Sequence, residues 1–182
     1  MMELSLEQTK HAMGIAEYHG PRSQMMRCID HPTMLKDGSG WGAMCGVSAA
    51  RMAKAGFTGA PALILQTEHW HDLGENWLIT QQYFKPYPVC RWAQGPIAAV
   101  LDLKSRYDFK SKDVARVHIT SFHEAVRLGQ KDVTNTEEAQ YSTSFPCAIA
   151  LVHGNILPEH VADDALNDPE GQRLSSLLTM SE

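Results

Sequence analysis

The chemical groups of greatest interest lie on a short segment between residues 85 and 92, which reads KPYPVCRW. Lys85 and Arg91 bracket two prolines, which restrict the backbone and limit the directions in which neighbouring side chains point. A guanidinium group can bind a carboxylate through two parallel hydrogen bonds, and an ammonium group adds a second positive charge. The segment therefore predicts a carboxylate-binding loop. Ion pairing of the two cations with Asp or Glu of a neighbouring element explains the pattern equally well.

A further cation, Lys36, precedes a glycine-rich stretch at residues 38–42. An ammonium group beside the free N–H groups of a helix start suits a carboxylate. The stretch lacks the GxxxxGK[ST] order of a phosphate loop, so it does not indicate a nucleotide site. Taken alone, Lys36 is explained more simply as a solvated surface cation.

Nine histidines raise the question of a metal site. His69 and His71 are two residues apart, but no third ligand follows at a recognisable spacing, so we expect no metal. His19, His31 and His123 are candidates for proton transfer, because imidazole titrates near neutral pH. For each of them a structural role is the simpler interpretation.

The remaining composition excludes several classes of protein. The four cysteines lie far apart without CxxC pairing, which is typical of reduced thiols in a cytoplasmic protein. Cys90 and Cys147 are either nucleophiles or small buried apolar groups. With 16 basic and 21 acidic residues and no basic cluster, we expect no nucleic-acid partner. The longest apolar run, residues 147–152, is too short to span a membrane, and no signal peptide pattern precedes it.

Helices are expected to position most of these groups. Ser5 and Gln8 form the pattern of a capping box, and Gly20 with the following proline ends this first helix. A polar, irregular stretch is predicted for residues 21–42, followed by a second helix over residues 43–55.

The second half mixes helices with a strand. The predicted elements are a helix from Gly95 to Tyr107, a half-buried strand within residues 112–122, a helix from near Pro146 to Gly154, and two short helices that begin at Pro158 and Pro169, the latter capped by Asp168. The sequence thus predicts a mainly α fold with an all-helical part over residues 1–75 and an α+β part over residues 76–182.

Three stretches, in this order, resemble the MmgE/PrpD family, which includes 2-methylcitrate dehydratases and cis-aconitate decarboxylases. The first comprises HGP at 19–21, MLK at 34–36, GAMCGVSAA at 42–50 and GFTGAP at 56–61. The second, YFKPYPVCRW at 83–92, is the most specific. The third comprises EAQYS at 138–142 with Phe145, Ala148 and His153-Gly154.

The resemblance implies part of a helical domain over residues 1–75 and an incomplete α+β lid domain over residues 76–182, with substrate in the cleft between them. It implies a metal-independent lyase, a dehydratase or decarboxylase of a small di- or tricarboxylate, that uses no organic cofactor. Lys36 falls where the family has an active-site lysine, and with it His19 and His31 are the catalytic candidates. The substrate-binding candidates lie on and next to the lid loop: Lys85, Tyr87, Cys90, Arg91 and Gln94.

The chain also departs from the family pattern. Phe145 stands where a tyrosine is common, and Ala93-Gln94 replaces a threonine–histidine pair. Family members are longer, so we expect this chain to lack a region that contributes an aspartate and two histidines. Its expected partners are a second copy of itself or a complementing N-terminal chain. The alternatives are one half of a split enzyme, an inactive truncated relic that serves as a carboxylate-binding or interaction module, and a small ligand-binding protein without chemistry.

Overall fold

Helices account for most of the fold of residues 2–182, which a computed structural model describes. One small two-stranded parallel sheet completes it, so the predicted fold class, mainly α with an α+β part, is confirmed. Within these residues no helix has the length and apolar character needed to cross a membrane. The chain divides into a first unit of residues 2–25 and 36–83 and a second unit of residues 26–35 and 84–182. The assignment of residues 1–75 and 76–182 to two family domains stays a prediction.

The first unit is built on two packed helices, α1 (Leu6–His19) and α3 (Ser39–Lys54). Its other regular elements are short 3₁₀ turns at Leu63–Gln66, Glu68–Trp70 and Leu78–Gln81. The predicted capping box of α1 is confirmed. The Gln8 backbone N–H donates to Ser5 Oγ at 3.1 Å, and the Ser5 N–H donates to Gln8 Oε1 at 2.9 Å.

Small side chains fill the interface between α1 and α3, whose buried apolar residues are Ala12, Ile15, Ala49 and Ala53. They bring the backbones close together. The segment that follows α3 also approaches α1 closely: a Cβ atom on Gly14 would lie 1.6 Å from the carbonyl oxygen of Ala60. The first unit therefore depends on close backbone contact more than on bulky apolar side chains.

The prediction of an irregular stretch over residues 21–42 is wrong in two places. Helix α2 (Met25–Asp30) lies within it and buries Ile29. Helix α3 begins at Ser39, four residues before the predicted start, and the Gly42 N–H donates to the Gly38 carbonyl at 2.7 Å. The glycines favour a loop by intrinsic propensity, but the hydrogen bonding of α3 includes them.

The second unit centres on helix α7 (Ser144–His153), which is buried from Ser144 to Leu151. The other helices and strands of this unit are α2 apart from its first residue, α4 (Gln94–Tyr107), β1 (Val117–Thr120), α5 (His123–Arg127), α6 (Thr136–Tyr141), α8 (Pro169–Leu177) and β2 (Leu178–Ser181). Its 3₁₀ turns are Arg91–Ala93, Ser111–Asp113, Pro158–Val161 and Asp163–Asn167. Because α4 and α8 both pack against α7, its apolar side chains supply the centre of the core.

Two charged side chains fix the ends of these helices. Lys104 of α4 donates to the carbonyls of Leu151 and Val152, which close α7 and carry the negative end of its dipole. Asp168 caps α8, as predicted: its Oδ1 accepts from the N–H groups of Glu170 and Gly171 at 3.0 and 3.2 Å. Its Oδ2 lies 3.0 Å from Nε2 of His153, the last residue of α7. One carboxylate thus joins the end of α7 to the start of α8.

Strands β1 and β2 pair in parallel, with Val117 opposite Leu178. The prediction of a half-buried strand is confirmed for residues 117–120, since Val117 and Ile119 are half-buried and His118 is exposed. On the exposed face His118 Nδ1 lies 2.8 Å from Thr179 Oγ1. The strand is shorter than predicted, because Ser111–Asp113 form a 3₁₀ turn.

Candidate functional site

The KPYPVCRW segment forms a loop that is anchored at its centre. Val89 is only 3% exposed and belongs to the core of the second unit. Its N–H donates to the Tyr87 carbonyl at 2.9 Å, which makes a tight local turn. The Cys90 N–H donates to the carbonyl of Gln140, in α6, at 2.7 Å. The loop is therefore held by one apolar side chain and by hydrogen bonds at short and long range.

Gln94, the first residue of α4, fastens the same loop from the other side. Its side-chain Oε1 accepts from the Tyr87 N–H at 3.1 Å. Its Nε2 donates to the carbonyls of Tyr87 and Val89, each at 3.1 Å, and to that of Cys90 at 3.3 Å. The residue is 6% exposed. All these contacts are to backbone atoms of residues 87–90.

The two cations of the loop are presented at the surface. Lys85 Nζ donates to the Val89 carbonyl at 3.1 Å, and both Lys85 and Arg91 are exposed. Tyr87 and Cys90 are half-buried between them. The structure therefore brings the five predicted substrate-binding residues together around one loop, and their role in binding stays a prediction.

The catalytic candidates Lys36 and His19 lie in the first unit. Lys36 is exposed, three residues before α3, whose first residue follows Gly38 without a side-chain cap. Such a start leaves the first backbone N–H groups of the helix without intrahelical partners. His19 ends α1, and its ring packs edge-on against Tyr18 with centroids 5.0 Å apart. It also lines a shallow pocket of about 260 Å³ together with Trp41 of α3.

His31 lies in the second unit, directly after α2, and is exposed. Its N–H donates to the Arg27 carbonyl at 3.2 Å. The three catalytic candidates are thus divided between the units. His123 has a local partner, since its Nδ1 lies 2.6 Å from Glu182 Oε1. Roles in proton transfer for His19 and His31 stay predictions.

Two buried residues of α7 bear on the chemistry. Burial raises the pKa of the Cys147 thiol to about 12, so the thiolate needed for nucleophilic attack does not form near neutral pH. Cys147 therefore serves as a small apolar group in the core. Phe145 is likewise fully buried in the core. Across residues 2–182, no three His, Cys, Asp or Glu side chains are grouped so as to hold a metal ion.

Sequence reasoning did not identify the anchors of the loop. Val89 gave a local signal, because it is an apolar residue in an otherwise polar and proline-rich segment. The hydrogen bond between Cys90 and Gln140 gave no local signal in the sequence, because it joins backbone atoms of residues that are 50 positions apart. Only the fold brings α6 to this loop.

Comparison with known proteins identifies the family of this chain. No curated protein matches the chain significantly. The profile of the MmgE/PrpD C-terminal domain matches residues 87–182, a region that begins in the loop and extends through β2. As the match covers just over half of its 182 residues, the chain belongs to the MmgE/PrpD family.

Proposed function

We propose that this chain supplies the carboxylate-binding part of a metal-independent lyase that dehydrates or decarboxylates a small di- or tricarboxylate. The observation that carries the proposal is the anchored loop at the start of the family match, with Lys85 and Arg91 exposed on it. Two cations on a fixed backbone favour a ligand with more than one carboxylate, because each cation can neutralise a separate negative charge.

The proposed chemistry needs positive charge more than it needs a cofactor. Loss of a proton or of carbon dioxide next to a carboxylate leaves an electron pair that delocalises into an enediolate. Lys85 and Arg91 would stabilise that developing charge in the transition state. Lys36 and His19, which belong to the first unit, stay predicted catalytic residues.

In a dehydration, His31 would take the proton, the electron pair would expel the hydroxyl group of the adjacent carbon, and that group would leave as water with the proton returned by His31. In a decarboxylation, protonated His31 would give its proton to the carbon that lost carbon dioxide. Tyr87 and Cys90, half-buried beside the cations, would contact the bound acid.

The test is binding of citrate, 2-methylcitrate and cis-aconitate to the purified chain, measured by thermal shift and followed by NMR for turnover. A ligand that binds only the folded state raises the unfolding temperature. We expect at least one acid to do so, and Lys85→Ala or Arg91→Ala to reduce the shift. Lys112→Ala, which removes an exposed lysine outside the loop, is the matched control for net charge.

Three outcomes are informative. Stabilisation with turnover that Lys36→Ala abolishes supports the lyase. Stabilisation without turnover supports a carboxylate-binding module. Indifference to all three acids at millimolar concentration contradicts both.

A second candidate function, an interaction module, is favoured by the surface of α3. Trp41, Met44 and Val47 are 60%, 51% and 47% exposed on this helix. Contiguous apolar surface is uncommon on proteins that act as monomers, and it often marks a contact with another chain. Size-exclusion chromatography with light scattering tests this candidate. A monomer at micromolar concentration, unchanged by Trp41→Glu, would argue against self-association.

A further inference from the structure

The orientation of the Gln94 carboxamide is fixed by its partners. The Tyr87 N–H needs an acceptor, so the oxygen of the amide faces it at 3.1 Å. Three carbonyl oxygens, of Tyr87, Val89 and Cys90, surround the nitrogen at 3.1–3.3 Å and can only accept, so the NH₂ group faces them. The two protons on that nitrogen are therefore shared among three acceptors. Every polar atom of the side chain is bonded to the loop backbone, which leaves it little capacity for a ligand.

One of these carbonyls links Gln94 to the cation. The Val89 oxygen accepts from Gln94 Nε2 at 3.1 Å and from Lys85 Nζ at 3.1 Å. A lysine side chain loses more rotamer entropy than most when it is fixed, so its position depends on a partner that is itself fixed. The direction of the Val89 carbonyl, set in part by Gln94, therefore determines where the Lys85 ammonium lies.

We infer that Gln94 is a positioning residue that fixes the backbone of residues 87–90 and, through the Val89 carbonyl, places the Lys85 ammonium for an anionic ligand. The effect on ligand binding rests on the proposed function, whereas the effect on the backbone does not. Direct contact of Gln94 with the ligand is the competing explanation. The two differ in what they predict for the loop without ligand and for the double variant with Lys85.

The first measurement is hydrogen exchange of the loop amides in the full chain without ligand. Gln94→Leu removes both polar atoms of the side chain, including the oxygen that accepts from the Tyr87 N–H. We therefore expect the Tyr87 amide to exchange about tenfold faster, as for one lost hydrogen bond. Gln94→Glu still offers an oxygen to the Tyr87 N–H, so this amide should stay protected. Gln172→Leu is the matched control, because Gln172 Nε2 also donates to a backbone carbonyl, that of Leu166, at 3.1 Å. Unchanged exchange of Tyr87 in Gln94→Leu would overturn the inference.

The second measurement is the dissociation constant for citrate, by calorimetry. We expect Gln94→Leu and Gln94→Glu to weaken binding about tenfold, and Gln172→Leu to leave it unchanged. If Gln94 acts through Lys85, the double variant Lys85→Ala/Gln94→Leu should bind no more weakly than Lys85→Ala alone. Direct contact of Gln94 with citrate predicts additive losses instead, and additive losses would overturn the positioning role.

The two measurements also separate this inference from the proposed function. If the wild-type chain binds no polycarboxylate, the proposed function fails, and the exchange of the Tyr87 amide alone decides whether Gln94 fixes the loop. If the wild type binds citrate and Gln94→Leu retains full affinity, the positioning role fails while the proposed function stands.

Discussion

Two glycines in helices of the same unit should respond in opposite ways to substitution by alanine. Gly14 lies in α1 and Gly46 lies in α3. In a helix interior, glycine costs about 0.5–1 kcal/mol relative to alanine, because it loses more backbone entropy on folding. A Cβ atom on Gly46 would meet no atom within 4 Å. Gly46→Ala should therefore raise the free energy of unfolding by about 0.5–1 kcal/mol.

Gly14→Ala would gain the same stability from helix propensity, but it would lose more stability through overpacking. Its Cβ atom would lie 1.6 Å from the Ala60 carbonyl oxygen, 2.8 Å from the carbonyl carbon and 3.5 Å from the nitrogen. These are backbone atoms, so the whole segment around Ala60 must move away from α1. Overpacking of this kind costs about 1–3 kcal/mol. After the gain in helix propensity is subtracted, the free energy of unfolding should fall by about 0–2.5 kcal/mol.

Urea denaturation of both variants and the wild type measures this difference. Three of the four tryptophans, at positions 41, 70 and 77, belong to the first unit, so fluorescence reports mainly on its unfolding. The expected order of midpoints is Gly46→Ala, wild type, Gly14→Ala. A Gly14→Ala variant as stable as Gly46→Ala would refute the close approach of the Ala60 backbone to α1.

Three further predictions concern the second unit. The Thr143 hydroxyl is buried without a hydrogen-bond partner among residues 2–182. Thr143→Val should therefore raise the free energy of unfolding by about 1 kcal/mol, and Ser142→Ala, which removes a bonded hydroxyl, should lower it by about 1–2 kcal/mol. Thermal unfolding compares the two, and a lower melting temperature for Thr143→Val would contradict the first. Since burial raises the pKa of Cys147 to about 12, a maleimide at pH 8 should leave this thiol unlabelled in the folded protein and modify it in denaturant, as read by mass spectrometry. Labelling of Cys147 in the native state would count against its burial. Hydrogen bonding to Arg173 lowers the pKa of Glu170 from 4.5 to about 2. The stability that this pair contributes is complete above pH 4.5 and lost as the pH falls through 2, so the melting temperatures of Glu170→Gln and wild type should converge over that range. A difference that persists at pH 2 would point to another cause.

Local signals in the sequence predicted most of the helices. The capping box at Ser5, the cap at Asp168 and the alternation around Val117 depend on residues close together in the chain. The structure contains these elements because each pattern depends only on residues that are near one another in the chain. Helix α2 and the early start of α3 were missed, because α2 depends on burial of Ile29 and the glycines at the start of α3 have low helix propensity.

The candidate site shows the same division. Lys85, Tyr87, Cys90, Arg91 and Gln94 lie together because they are neighbours in the chain, and this proximity was predictable. What could not be predicted is the hydrogen-bonding role of the Gln94 carboxamide, which follows from the tight turn at Val89. A polar side chain near a loop can bond to many different groups, and the sequence does not show which backbone N–H and C=O groups will lie within its reach.

The parallel pairing of β1 with β2 also affects the order of folding. The pair joins side chains 61 positions apart, such as His118 and Thr179. Bringing together residues so far apart in the chain costs conformational entropy. This cost must be met before the few hydrogen bonds between the strands form. We therefore expect α7 and α8 to pack first and the strands to join late. Substitutions in the strands should then accelerate unfolding while leaving the folding rate nearly unchanged.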